Sequence, residues 1–139
     1  MYTEGVKTYT KDNKTAGIAR CHEKIADIHA LTKNNEAARS NYALAYQHYA
    51  ITNNYRMQSM NTCRKLADFC VAGKMYKDAA EYYDKIYNNY INDRTLKFNA
   101  LSTFCRAAMA RMCVDESDGI NYYQKGVAQH QSLLLSGNF

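Results

Sequence analysis

Slid against itself by 41 positions, the chain superimposes Lys24-Ile25-Ala26-Asp27 on Lys65-Leu66-Ala67-Asp68, and Arg106-Ala107-Ala108 follows at the same step. The same shift lays Ala38 on Ala79, Tyr42 on Tyr83, Tyr46 on Tyr87 and Tyr49 on Tyr90. A period of this length marks an array in which each repeat is one supersecondary unit that buries its apolar face only against its neighbours. The residue types say which unit. Small side chains at Ala26 and Ala38, 12 positions apart, let the two helices of a hairpin approach closely. Large ones at Tyr42 and Tyr46 fill the groove against the next hairpin.

The chain has no proline in 139 residues, which favours helices joined by short polar connections over strands and long loops. Periodicity predicts a helix fragment over Glu4–Tyr9, then helices over Thr15–Lys33, Asn35–Thr52, Tyr55–Ala72, Tyr76–Tyr90, Arg94–Val114 and Gly119–Leu134. The expected breaks are Lys11–Asn13, Lys33–Asn35, Thr52–Asn54, Gly73–Lys74, Ile91–Asp93 and Asp115–Asp118. Connections this short make neighbouring helices antiparallel. The alanine and aromatic offsets match those of tetratricopeptide repeats, although the period is longer and the terminal proline of that repeat is missing. The expected fold is therefore all-α, a single domain over 1–139: a right-handed superhelix of antiparallel hairpins, with about six helices plus the N-terminal fragment. Such an array has a concave and a convex face. It offers an extended surface to another protein rather than a closed pocket.

Other function classes find little support. Five cysteines, Cys21, Cys63, Cys70, Cys105 and Cys113, are odd in number and contain no CxxC pair, so the sequence argues for a reducing compartment and against a disulfide framework or zinc site. His22 and His29 lie seven apart, wider than the helical spacing metal pairs prefer. No glycine-rich phosphate loop or GxSxG elbow occurs, no cofactor is implied, and no catalytic residue is assigned. The N-terminus lacks a signal-peptide pattern and no apolar run is long enough to cross a bilayer. A net charge of +5 is a mild bias toward acidic partners. A nucleic-acid binder would need exposed tyrosines between its basic residues. Here the 13 tyrosines are expected at half-buried helix positions with hydroxyls reaching water. The apolar end Leu133–Leu135 is expected to be sticky if it lacks a packing partner.

One stretch carries a family resemblance. Gly73–Ile86 (GKMYKDAAEYYDKI), then Leu96–Ala100 (LKFNA) and Phe104–Ala108 (FCRAA), with Tyr9-Thr10 and Ile18–Ile28 upstream, resembles the central region of alpha-type soluble NSF attachment proteins (SNAPs). The two run in step from about Val6 to Lys125. The resemblance implies a non-catalytic, cytoplasmic adaptor, peripheral to endomembranes, that grips a SNARE complex on its concave face and recruits the ATPase NSF to pull it apart. It places SNARE-facing cations at Lys14 and Arg20, and an apolar SNARE contact at Leu96 and Phe98. It places an NSF-facing acid at Asp115. Asn61 stands where the family has another lysine. The matched region lacks the family's N-terminal hairpins and C-terminal bundle, so weak SNARE binding and little NSF stimulation are expected of it.

Overall fold

The computed structural model describes the backbone of residues 2–52, 54–93 and 95–135, and the side chains of residues 11, 13–52, 54–93 and 95–129. Among these residues the structure is all-helical: α1 (Tyr2–Leu31), α2 (Asn35–Ala50), α3 (Arg56–Ala72), α4 (Tyr76–Tyr90), α5 (Lys97–Val114) and α6 (Glu116–Leu135). They form hairpins of the kind the repeat predicts. One expected break is absent: α1 runs unbroken through Lys11-Asp12-Asn13. A polar run without glycine or proline can be the solvated side of a helix, and Lys11 and Asn13 are exposed. Asn13 also accepts a hydrogen bond from the Tyr55 hydroxyl at 3.2 Å. Residues Leu133–Leu135 lie outside the described side chains.

The turns explain the period. Where α1 ends, Asn34 N–H bonds His29 C=O (2.9 Å) and Lys33 N–H bonds Ala30 C=O (3.2 Å), with Lys33 left-handed at φ 61°. One period later Met75 N–H bonds Cys70 C=O (2.7 Å), Lys74 N–H bonds Val71 C=O (3.0 Å), and Lys74 has φ 61°. Both are Schellman ends, which close the orphan carbonyls and reverse the chain within three residues. The third turn departs from this pattern. Asp115, in register with Lys33 and Lys74, is extended (φ −150°) and is the sole connection between α5 and α6.

The chain divides into two compact units, Met1–Phe69 and Cys70–Phe139, with the boundary inside the last turns of α3. In the first, α1 packs on α2. Ala16, Ala19, Ala45 and Tyr49 form one buried cluster, with Tyr55 packed against it. In the second, α4 packs on α5 and α5 on α6, around Ala79, Tyr83, Ile86, Ala100, Phe104 and Ala107. The repeat alanines Ala26, Ala67 and Ala108 are 0%, 0% and 1% exposed. At a helix–helix seam this close, a methyl is all the space allows.

Candidate partner-binding surface

Helix α1 buries Ala16, Ala19 and Ala26. Lys14 and Arg20 are both exposed. Six residues separate them, which turns the second about 120° around the axis from the first. They therefore share a helix but not a stripe. Near Arg20, buried Tyr49 has its pKa raised, first by burial and then by the Glu23 carboxylate. Asn61, on α3, is exposed.

The other predicted residues lie in the second unit. Leu96 is half-buried at the N-cap of α5, and Phe98, in the first turn, is 66% exposed. Asp115 stands at the far end of the same helix, roughly 25 Å away at 1.5 Å per residue. The expected SNARE contact and the expected NSF contact thus occupy opposite ends of α5. Asp115 also has a structural task. Its Oδ1 accepts the Asp118 N–H at 3.2 Å, and its carbonyl accepts the Gly119 N–H at 3.0 Å, so it caps α6.

A polar hub in the second unit was not legible beforehand. Asp84 of α4 accepts from Arg111 of α5 and from the Tyr122 hydroxyl of α6 (2.6 Å to Oδ1), and the Arg111 guanidinium lies 4.4 Å from the Tyr122 ring centre. Burial works against the Arg111 charge, but Asp84 more than offsets it and the pKa is raised. Tyr122 is pushed above the ordinary tyrosine range by burial and then by its bond to Asp84. Beside the hub, Asp84, Tyr87, Asn88, Phe104, Lys125 and Gln129 line a cleft of about 340 Å³. With Asp84 clamped from two sides, the hub ties three helices together and offers no activated nucleophile.

Two tyrosine hydroxyls thus meet carboxylates where water was expected: Tyr122 meets Asp84, and Tyr42 meets Asp27 at 2.5 Å. Tyr42, Tyr49, Tyr83 and Tyr90 are buried, which removes them from any base-stacking role. The pKa of Tyr42 is likewise raised by burial first, then by Asp27. The folded phenols keep protons that the unfolded chain releases near pH 10. Their contribution to stability is therefore complete below about pH 10 and is lost as pH rises above it toward the folded pKa. Alkaline titration should show tyrosinate absorbance from these two rings appearing together with the loss of helical circular dichroism. Two separate steps would contradict this, and Tyr122→Phe should flatten the pH dependence.

His22 Nδ1 lies 3.1 Å from Asn41 Oδ1 across the α1–α2 hairpin. Among the described residues no three His, Cys, Asp or Glu side chains converge as a metal site would require. No described helix is long and apolar enough to cross a membrane.

Compared with known proteins, the chain matches the family model described as "Soluble NSF attachment protein, SNAP" over residues 1–134. No curated protein and no solved structure matches it at a significant level.

Proposed function

The chain belongs to the soluble NSF attachment protein family, and on that premise we propose that it is a non-catalytic adaptor that grips a SNARE helix bundle and couples it to NSF during vesicle transport. The observation that carries this reading is the charge on α1. Every exposed charged side chain described on that helix, Lys11, Lys14, Arg20 and Lys24, is cationic. A SNARE bundle is the partner class whose acidic rods such a helix would attract. Lys14 and Arg20 supply long-range attraction and charge-assisted hydrogen bonds. The exposed Phe98 ring, beside Leu96, supplies an apolar contact. On this reading the chain resides in the cytoplasm and is held at endomembranes through the SNAREs.

Titration of the chain into a preformed SNARE bundle tests the reading. Binding should weaken as salt rises, and Lys14→Glu with Arg20→Glu should weaken it by about tenfold or more. Binding that ignores both salt and the double reversal would sink the assignment of these two residues. Asp115 can be judged without disturbing its cap, because asparagine caps a helix as well as aspartate does. Asp115→Asn should leave the melting temperature within about 1 °C of the parent while weakening direct binding to NSF. Unchanged NSF binding would leave Asp115 as a cap alone.

A further inference from the structure

Two histidines meet across the α1–α2 hairpin, and the adaptor reading uses neither. His22 of α1 and His48 of α2 are half-buried, with ring centres 5.7 Å apart and planes tilted by 34°. Each ring has one nitrogen already engaged. His48 Nδ1 lies 2.8 Å from the carbonyl oxygen of Leu44. A carbonyl only accepts, so Nδ1 carries the proton. His22 Nδ1 lies 3.1 Å from Asn41 Oδ1. The Asn41 amide cannot be turned round, because its Nδ2 donates to the Ala37 carbonyl at 2.9 Å. Oδ1 is therefore the atom that meets His22, and the proton sits on Nδ1 there too.

Both imidazoles are thereby fixed as the same tautomer, with a bare lone pair on Nε2. An oxygen that holds one ring N–H and frees the other nitrogen is the outer partner metal-bound histidines usually have. The spacing suits a shared ion. With Zn–N at about 2.0–2.1 Å, each ring centre would sit about 3.2 Å from zinc, and two rings at a tetrahedral angle would have centres about 5.2 Å apart. A small side-chain rotation brings the observed separation to that value. Asn41 holds one edge of the His22 ring, so Nε2 on the other edge is turned away from it, and His48 lies two turns further along α2 than Asn41. The cations of α1 do not oppose an ion here. Arg20 and Lys24 flank His22 two residues to either side, about 160° around the helix from it. Every group involved belongs to one hairpin, and the repeat does not call for the pair: one period on, His22 and His48 correspond to Cys63 and Asn89.

We propose that His22 and His48 together chelate a divalent, imidazole-seeking transition ion such as zinc, which pins α1 to α2. A centre closed by the chain alone needs three or four converging ligands, and the described residues hold no such group. Two imidazoles make an open site instead, with water completing the shell of the ion. Nothing in this depends on the adaptor reading.

The test uses the whole chain and zinc alone. At about pH 8, above the reference imidazole value, nitrogen NMR shifts of the metal-free chain should show both rings protonated at Nδ1. The other tautomer at either ring would overturn the proposal. Zinc titrated into the chain under reducing conditions should shift the Nε2 resonances of both rings and raise the melting temperature with its concentration. His22→Gln and His48→Gln should each weaken binding by about tenfold or more, and Asn41→Ala by about 10- to 100-fold. Asn41→Asp still accepts from Nδ1 and should bind at least as well as the parent, a difference that a merely structural role for Asn41 would not produce. His29→Gln, on the same helix, should change nothing. Binding that survives both glutamine variants, or that Cys21→Ser removes, places the ion on other groups and overturns the proposal. So does a chain that takes up no zinc.

Discussion

Replacing Gly119 by alanine is expected to destabilise the chain by about 2 kcal/mol, against the direction helix propensity dictates. Alanine in a helix interior is favoured over glycine by about 1 kcal/mol, so on propensity alone the melting temperature would rise. Packing reverses the sign. Gly119 is buried in α6, and a Cβ there would overlap the side chain, Cα and backbone N of Met112 on α5. Backbone cannot turn aside as a side chain can, so α5 and α6 must separate. That places the overpacking penalty near the upper end of its usual range, about 3 kcal/mol before propensity returns about 1. Gly126, seven residues on along the same helix, has the same constraint against a different neighbour. Its added Cβ would overlap the Phe104 ring. That ring is held among Tyr87, Tyr122 and Tyr123, with centroids at 5.8, 5.2 and 5.9 Å. Gly126→Ala should follow the same sign with a smaller magnitude, since a ring can shift where backbone cannot. Thermal unfolding should place Gly119→Ala roughly 5–8 °C below the parent. A rise for either variant would mean that α5 and α6 cross less closely than the structure shows.

These two glycines also mark where sequence reasoning stopped. Gly119 reads locally as the punctuation that starts a helix, yet the helix begins earlier, at Glu116, on the Asp115 cap. The choice between a breaker and a close crossing depends on what lies opposite, and Met112 belongs to another helix. The repeat alanines and tyrosines were legible for the converse reason. Their 41-residue step is a property of the chain itself, and burying them needs only that one hairpin pack on the next. At the start of α5, Asp93 Oδ1 takes the Thr95 N–H (2.9 Å) and hydroxyl (2.7 Å). This turn delays the helix to Lys97, beyond the Arg94 start that periodicity suggested, and Arg94 itself lies outside the described residues. The Asp84–Arg111–Tyr122 hub joins residues 27 and 38 positions apart on three helices, a convergence that no local pattern encodes. Lys14, Arg20, Phe98 and Asp115 came from the family resemblance. Periodicity alone gave no reason to prefer them over other exposed side chains.

Tyr42 should be the most costly single truncation among the repeat tyrosines, and its two replacements separate packing from hydrogen bonding. The ring is 3% exposed and lies against Phe69, with the Lys65 ammonium 5.7 Å from its centre. Tyr42→Ala empties that volume where α1, α2 and α3 meet, and large-to-small changes of this size cost about 3–5 kcal/mol. Tyr42→Phe keeps the ring and deletes only the hydroxyl that donates to Asp27. Asp27 is not left stranded, because Lys65 lies 3.6 Å away and the carboxylate is partly open to water. The loss should therefore be about 1 kcal/mol, the ordinary worth of one hydrogen bond, and not the larger penalty of an orphaned buried charge. Urea unfolding of the three proteins gives both numbers. If Tyr42→Phe proves as damaging as Tyr42→Ala, the phenol–carboxylate bond between α2 and α1, rather than the packing of the ring against Phe69 of α3, carries the cost of the truncation. If the two differ by about 2 kcal/mol or more, ring packing dominates. The contact that Phe69 of α3 makes with the Tyr42 ring is then chiefly apolar, and the hydroxyl bond to Asp27 is the smaller part of what Tyr42 contributes.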